Sequence, residues 1–313
     1  MEDLISVAAF QEELLQLSTP LSALDLPLLD AHGATLASDM LVDEKVVIKN
    51  GQKIDSTQIA LAASLGLDRL PCRPHPRVVI ISAGDDLVEP GSKLANDDDE
   101  YESNSWFLTT FVREAGAHAY RVHTIPETAE QLKLVVEDQL VRADLIVISG
   151  ESGDESFDLI RSVISELGEI KVVTPKLEES SKHGFGLIGP DKTPVLALPG
   201  DPIGNYLSAE LFIRPMILKM LTGSGSLRPS RKGKLGKALS IAGGKSAYLR
   251  GEINEAGQVS VLPNQESLTT LSLANCLIVL DEKTGKLGAG DTVNLLLISQ
   301  EKSCVNYLIM KFL

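Results

Sequence analysis

The chain has 313 residues, of which 43% are hydrophobic and 23% charged, and its formal net charge is −14. The length exceeds that of one ordinary core, so we expect two or three domains, and the composition is that of a folded rather than a disordered chain. Nucleic-acid backbones and anionic membranes attract basic surfaces, so the acidic balance argues against both as main partners.

The cysteines and histidines form no recognisable metal or disulfide pattern. The three cysteines are scattered without a CxxC pair, and the five histidines lack HxxxH or HExxH spacing. A structural zinc or a disulfide framework is therefore not expected. The first residues, MEDLISVAAFQEELL, lack the basic start of a secretory signal, and no long uncharged apolar run predicts a membrane span. We expect a cytoplasmic protein.

The N-terminal region, residues 1–71, is predicted to be short and helical. ISVAAFQEELLQL (5–17) repeats apolar residues at intervals of three and four, which is typical of an amphipathic helix. STQIALAASLG (56–66) is a second helix closed by a glycine. The proline-rich stretch LPCRPHPR (70–77) marks the boundary to the next domain.

Residues 72–223 alternate between strand and helix patterns and end with a long predicted helix at 202–223. Continuous β-branched strands separated by helices predict an α/β domain of three layers, with a mostly parallel sheet covered on both faces. GSGSLRPSRKGK (223–234) has the composition of a linker. The short, turn-punctuated strands that follow predict an all-β domain over 232–313, either a sandwich or a barrel.

Three loops of the α/β domain follow predicted strands and combine glycine with acids or hydroxyls. In open α/β sheets, ligands bind outside the carboxyl ends of the strands, so these loops predict a pocket. Ordinary turn and capping chemistry is the alternative explanation for each loop taken alone. The loops are SAGDDLVEPG (82–91), SGESGDESFD (149–158) and LPGDPIGN (198–205).

In this order, the loops resemble motifs of the molybdopterin molybdenumtransferase family, which comprises bacterial MoeA and the E domain of gephyrin. Two more stretches fit the same order, YESN (101–104) at the family's YDxN and KLEESSKHGFG (176–186) at its KPGKPxxFG. Within the β domain, SAYLRGEI and SLTTLSLANCLIVL resemble the family's FLRG strand and its LAxANGLIxL segment. The resemblance thus covers nearly the whole chain.

The resemblance implies a fold, an activity and a set of site residues. The fold is a central domain like that of the molybdopterin adenylyltransferases, followed by a C-terminal β-barrel, usually in a homodimer. The activity is insertion of molybdate into adenylated molybdopterin with release of AMP, assisted by Mg²⁺. Catalysis is assigned to Asp86 and Asp158. The oxygen atoms of Asp85, Asp86 and Asp158 also suit a hard metal ion, and loop capping and solvation are the alternative roles of these three residues. The ligand-binding residues are Ser149, Gly150, Ser152, Gly153, Pro199, Gly200, Asp201 and Pro202.

The sequence departs from the family before the α/β domain. LASDMLV (36–42) runs directly into DEKVVIKNG, without the family's DNSAMDGYA motif and without room for its inserted second domain. The acid and the hydroxyl that the family presents from those regions have no counterpart. A further strand-end acid of the family aligns with Glu127, at a loosely specified position.

Further departures remove positive charge from the pocket. LEESS (177–181) replaces the family's KPGKP, Glu151 replaces a glycine, and Asp201 replaces an asparagine. A catalyst for molybdate and pterin phosphates must present preorganised positive charge, so we expect a strongly degenerate active site. Lys176 and Lys182 flank the changed stretch and could substitute after a register shift.

Three functional hypotheses remain. The first is a minimal molybdenumtransferase with molybdate and adenylated molybdopterin as substrates. The second is a pseudoenzyme that kept the fold and acts as a gephyrin-like scaffold for a protein partner. The third is a regulator that binds a cationic or metal-linked ligand in an acidic cleft. The substituted positions favour loss of catalysis.

Overall fold

The computed structural model describes residues 4–123, 125–126, 128–150, 154–178 and 181–298. Separate hydrophobic clusters form the cores of a small N-terminal subdomain and of the C-terminal barrel, and two further clusters cover the opposite faces of a central sheet. No helix within the described ranges is long and apolar enough to cross a bilayer.

The N-terminal region contains more strand than its sequence predicts. The predicted helices are present as α1 and α3, but three short strands also form an antiparallel sheet, and β1 and α1 pack with the central domain. The elements are β1 (Leu4–Ile5), α1 (Val7–Leu17), β2 (Leu24–Pro27), α2 (Leu28–Ala31), β3 (Thr35–Leu36), β4 (Met40–Val42), β5 (Lys45–Ile48), α3 (Ser56–Ser64) and β6 (Arg69–Arg73).

A tight hairpin occupies the sequence interval in which family members would carry their inserted domain. Strands β4 and β5 pair through Asp43 and Glu44, whose φ angles are 48° and 64°. Two consecutive left-handed residues are the geometry of a type I′ turn, which normally uses asparagine and glycine. The chain therefore bridges this interval with two residues.

The central domain is a seven-stranded mixed sheet in the order β1-β12-β13-β14-β11-β7-β10. Neighbours from β14 to β10 are parallel, and β13 is antiparallel to both of its neighbours. The elements are β7 (Arg77–Ala83), β8 (Leu87–Val88), β9 (Glu100–Tyr101), α4 (Asn104–Glu114), β10 (His118–Arg121), α5 (Ala129–Leu140), β11 (Leu145–Gly150), α6 (Asp154–Leu167), β12 (Gly168–Pro175), β13 (His183–Ile188), β14 (Thr193–Leu198), α7 (Pro202–Ser208) and α8 (Arg214–Thr222).

The two faces of this sheet are covered by different helices. Alternate residues of β7 and β11 point to opposite sides, and their apolar character on both sides explains why these strands read as continuous hydrophobic runs. Helices α1, α4, α7 and α8 cover one face, while α5 and α6 cover the other. The predicted three-layer α/β class is confirmed.

The long helix predicted at 202–223 contains an irregular turn. One π-helical turn, Ala209–Ile213, joins α7 to α8, and Gly223 ends the helix with a φ of 82°. Such turns insert an extra residue and reorient the side chains that follow them. This one presents Glu210 to the interior, where it is 3% exposed.

The C-terminal domain is a closed five-stranded barrel in the order β15-β18-β17-β19-β21. This decides between the predicted alternatives in favour of a barrel. Its interior contains the buried Val259, Ile278 and Leu295. The elements are β15 (Ser230–Leu235), β16 (Leu239–Ser240), β17 (Ala247–Ile253), β18 (Gln258–Val261), α9 (Leu268–Leu273), β19 (Cys276–Leu280), β20 (Lys286–Leu287) and β21 (Thr292–Leu297).

Candidate functional site

The three loops singled out in the sequence begin side by side at the carboxyl edge of the central sheet. Ser149 of β11 lies opposite Ser82 of β7 on one side and Leu198 of β14 on the other. All three strands are parallel, so their loops leave the sheet in the same direction. The predicted convergence at one edge is therefore present.

Glu102 is the centre of a buried polar cluster at this edge. Its side chain is 1% exposed, and its carboxylate accepts hydrogen bonds from Ser82 Oγ at 2.8 Å and from Ser105 N at 2.6 Å and Oγ at 2.5 Å. Ser82 Oγ also lies 3.2 Å from Ser149 Oγ. The YESN segment thereby connects the ends of β7 and β11 to the start of α4.

Asn104 of the same segment fixes the third loop. Its Nδ2 donates to the carbonyl oxygen of Gly200 at 2.7 Å, and Asn205 Nδ2 donates to that of Pro199 at 3.1 Å. Asp201 accepts from Gly204 N as the N-cap of α7, with Pro202 in the first turn. These side-chain bonds hold the LPGD turn in one conformation, as capping predicts.

Arg121 lies at the carboxyl end of β10, beside the Glu102 cluster. Its Nε donates to Ser105 Oγ at 2.6 Å, and its Nη2 contacts Glu102 at 3.4 Å and also Glu89. The guanidinium carbon lies 4.4 Å from the ring centroid of Trp106. The arginine side chain is 8% exposed, so its charge is already compensated by two carboxylates and an aromatic face.

Of the predicted loop residues, Ser149 and Gly150 are buried in the last positions of β11. A Cβ atom added at Gly150 would lie 2.2 Å from Ser156 Oγ, so a larger residue there would force the Ser156 side chain of α6 to move. Ser152 and Gly153, together with Glu127, Glu151 and Glu179, lie outside the described residues.

The predicted metal ligands do not form a preassembled site. Asp85 and Asp86 are exposed on the loop after β7. Partial desolvation, with the nearby Asp85, Asp98 and Asp99, raises the pKa of Asp86. Asp158 lies on α6 and pairs with Arg161 at 3.2 Å. Within the described ranges, no group of three or more His, Cys, Asp or Glu side chains is placed to hold a metal, and Mg²⁺ binding stays a prediction.

The stretch that replaces the family's lysines is anchored to the barrel. Ser246 N donates to the carbonyl oxygen of Lys176, and Glu178 N donates to that of Ser246, each at 2.9 Å. Lys176 Nζ lies 3.8 Å from Glu282. The charge of Lys176 is therefore directed to the barrel, and Lys182 also has an interaction partner.

Glu102 and Arg121 are site residues that the sequence did not predict. The signal for Glu102 was present, because it occupies the acidic position of the quoted YESN motif. Arg121 lies in no motif, and pairing between β10 and β7 brings it to the edge. Ser82 was inside a quoted loop without a role of its own.

Two family models match the chain. The one described as "Probable molybdopterin binding domain" covers residues 79–219, and the one described as "MoeA C-terminal region (domain IV)" covers 232–298. These ranges correspond to the central sheet domain and to the barrel.

Individual relatives agree with these models. Molybdopterin molybdenumtransferase 1 of Mycobacterium tuberculosis is 31% identical over 277 residues, which are 84% of this chain and 64% of that protein. Gephyrin of Dictyostelium discoideum is 26% identical over 291 residues, 81% of this chain and 40% of gephyrin. The chain thus spans less than two thirds of the length of either relative.

A solved structure of a MoeA protein of molybdopterin biosynthesis from Pyrococcus horikosii has the same fold. It aligns with a TM-score of 0.81 and 18% identity, over 95% of this chain and 100% of that one. The two family models, the relatives and the shared fold agree with the ordered motifs of the sequence. The chain therefore belongs to the molybdopterin molybdenumtransferase (MoeA) family.

Proposed function

We propose that the chain is a molybdopterin-binding protein of molybdenum cofactor biosynthesis whose own molybdate-insertion activity is severely reduced. The observation that carries this proposal is the YESN segment, which joins all three strand-end loops. Glu102 accepts from Ser82 of β7, which also contacts Ser149 of β11, and Asn104 holds the LPGD turn. A sheet edge fixed by buried hydrogen bonds favours retained binding, because its side chains lose little conformational freedom when a ligand binds.

Reduced activity follows from the charges around this edge. Asp85 and Asp86 lie on the loop after β7, Glu89 follows β8, and Arg121 is already paired with carboxylates. One unit charge about 8 Å from an anion contributes roughly 2 kcal/mol at an effective dielectric near 20. Each lysine replaced by an acid therefore turns an electrostatic attraction of that size into a repulsion. A reaction among molybdate, pterin phosphate and AMP is especially sensitive to such reversals.

A binding and turnover experiment tests both parts of the proposal. Purified protein is titrated with molybdopterin and with adenylated molybdopterin, with and without Mg²⁺, and AMP release on addition of molybdate is measured in parallel. We expect micromolar binding and AMP release far below that of a family member with intact lysines. Absence of binding at tens of micromolar would overturn the function. AMP release equal to that of the intact member would overturn the loss of activity.

A second candidate is a protein-binding role, favoured by a groove between α1 and the barrel. The groove has a volume of about 340 Å³ and is lined by Val7, Gln11 and Tyr248, with Asp281, Glu282 and Lys283 at its rim. The family-implied homodimer stays a prediction. Size-exclusion chromatography with light scattering tests the dimer. A protein partner that occupies the groove should bind Tyr248→Ala protein more weakly than the unaltered protein.

A further inference from the structure

We propose that Arg121 is the anion-binding residue of the sheet edge, and that the carboxylate of Glu89 occupies its site until a phosphate group displaces it. The proposal deepens the function proposed above and rests on it for the identity of the natural ligand. The chemical class of that ligand is a phosphate monoester or a pyrophosphate group. No sequence motif assigns this role to Arg121.

Arg121 is held rigidly on the side that faces the protein. Ser105 Oγ accepts from its Nε at 2.6 Å, Glu102 contacts its Nη2 at 3.4 Å, and Trp106 lies against its plane at 4.4 Å. A guanidinium has five donors in a fixed plane, which matches the spacing of phosphate oxygens. Arg121 is therefore oriented before any ligand arrives.

The two carboxylates on Arg121 differ in how firmly they are held. Glu102 is 1% exposed and accepts three further hydrogen bonds, from Ser82 Oγ and from Ser105 N and Oγ. Glu89 has a side chain that is 32% exposed, on the loop that follows β8. Removing Glu102 would take away the acceptor of both Ser105 N and Ser105 Oγ, while Ser82 Oγ would keep its contact with Ser149 Oγ. Moving Glu89 into solvent leaves its carboxylate hydrated.

Exchange of Glu89 for a phosphate oxygen conserves the bonding of Arg121. Both groups are anionic oxygen acceptors that form charge-assisted bonds with a guanidinium. Glu89 is the more exposed of the two carboxylates, so it is the one that can turn into solvent while Glu102 keeps its buried hydrogen bonds. The family's lysines are replaced in this chain, so Arg121 supplies positive charge from a different strand of the same edge.

The test uses pyrophosphate as the probe, measured by isothermal titration calorimetry at constant ionic strength. Glu89→Gln protein should bind pyrophosphate at least fivefold more tightly than the unaltered protein. Glu255→Gln removes the same charge from an exposed turn of the barrel and should change affinity less than twofold. Equal effects of the two substitutions, or no binding to Glu89→Gln protein at millimolar pyrophosphate, would overturn the proposal.

Two further variants locate the effect at the guanidinium. Arg121→Gln in the Glu89→Gln background should abolish the gain, and Arg121→Lys should retain charge but bind about tenfold more weakly, because it lacks the planar fork. Circular dichroism and thermal unfolding confirm that each protein is folded. Trp106 is the single tryptophan of the chain, so its fluorescence should change on binding in the unaltered and Glu89→Gln proteins. Unchanged fluorescence would place the bound anion elsewhere and overturn the proposal.

The outcomes separate this proposal from the proposed function. Pyrophosphate binding that depends on Arg121, together with no binding of molybdopterin, would leave the anion site standing and remove the molybdopterin function. Molybdopterin binding of equal strength in unaltered, Glu89→Gln and Arg121→Gln proteins would support the molybdopterin function and remove the role of Arg121 as the anion site.

Discussion

Two buried glutamate–arginine pairs lie in different surroundings within this molecule. Glu102 and Arg121 meet at the carboxyl edge of the sheet, among serines and beside a partly exposed second acid, Glu89. Glu210 of the π-helical turn meets Arg228, whose Nε lies 2.8 Å from both carboxylate oxygens. In the first pair, the exposed Glu89 can exchange for another anion. In the second, Glu210 holds Arg228 with both carboxylate oxygens, and we call it the closed pair.

The closed pair fastens the linker to the central domain. Arg228 precedes β15, lies 5.9 Å from the ring centroid of Phe111, and is 18% exposed against 2% for Glu210. Tyr206 OH donates to Glu210 Oε1 at 3.3 Å, and burial, followed by the charge of Glu210, raises the pKa of Tyr206. The same two residue types therefore stabilise the packing of the linker in one place and are suited to ligand exchange in another.

The largest expected effect comes from breaking the closed pair. Glu210→Gln leaves Arg228 largely buried without the carboxylate that accepts its hydrogen bonds, and should lower the free energy of unfolding by about 3–5 kcal/mol. Urea unfolding followed by circular dichroism measures it. The Glu210→Leu/Arg228→Met double variant should recover most of the loss, because the guanidinium of Arg228 is removed together with its carboxylate. A double variant no more stable than Glu210→Gln would contradict this account.

A buried histidine extends the comparison. His183 is 1% exposed, its Nδ1 donates to Ser181 O at 3.0 Å, and its Nε2 lies 2.7 Å from Ser208 Oγ. Burial lowers the pKa of His183 to about 4. The unfolded chain therefore binds a proton that the folded chain does not, once the pH falls below the ordinary value near 6.5.

Stability should accordingly fall as the pH drops from 6.5 towards 4. Between pH 7 and pH 4.5, the histidine alone should contribute a loss of about 2 kcal/mol. His183→Gln keeps a polar side chain that does not titrate there, so the difference between the two proteins in this window isolates the effect of the histidine. Parallel stability–pH curves for the two proteins would show that His183 titrates normally.

A smaller effect is expected at the sheet edge. Glu102→Gln leaves Arg121 with Glu89, and the amide oxygen can still accept from Ser82 or Ser105. The loss should be about 1 kcal/mol, the size of weakened charge-assisted bonds. Urea unfolding beside Glu210→Gln measures the contrast. Equal losses of unfolding free energy in the two variants would mean that Arg121 depends on Glu102 as strongly as Arg228 depends on Glu210.

The sequence predicted the parts of the fold that depend on local patterns. The apolar runs at 77–84 and 144–150 and the helix at 103–116 are present as β7, β11 and α4, because burial on both faces or on one face leaves a periodic signature. The strands between 24 and 48 have two to four residues each and depend on distant pairing. The π-helical turn has no periodic signature of its own.

The site was predictable only where a motif spanned it. The loops after β7, β11 and β14 were expected at one edge, and the register of the strands brings them together. Arg121 lies 19 residues from Glu102 and 32 from Glu89 in the chain. No spacing rule connects residues at such distances, and only strand pairing brings them into contact.

The smallest effect on stability is expected at Asp158. Because folding is hardly affected there, a substitution can report on catalysis alone. Asp158 and Arg161 are 55% and 49% exposed, and an exposed pair three residues apart on a helix contributes less than about 0.5 kcal/mol. Asp158→Asn should therefore unfold at nearly the same urea concentration as the unaltered protein, with Arg161→Gln as the matched control that breaks the same pair.

Asp158 is the family acid carried over from the SGGxSxGxxD motif, so its catalytic assignment can be tested without interference from folding. If any AMP release remains, Asp158→Asn should lower it at least tenfold while Arg161→Gln leaves it unchanged. Equal AMP release in both variants would make Asp158 a surface residue of α6. In that case, the exposed Asp158–Arg161 pair would differ from both buried glutamate–arginine pairs, because it would contribute neither to stability nor to ligand binding.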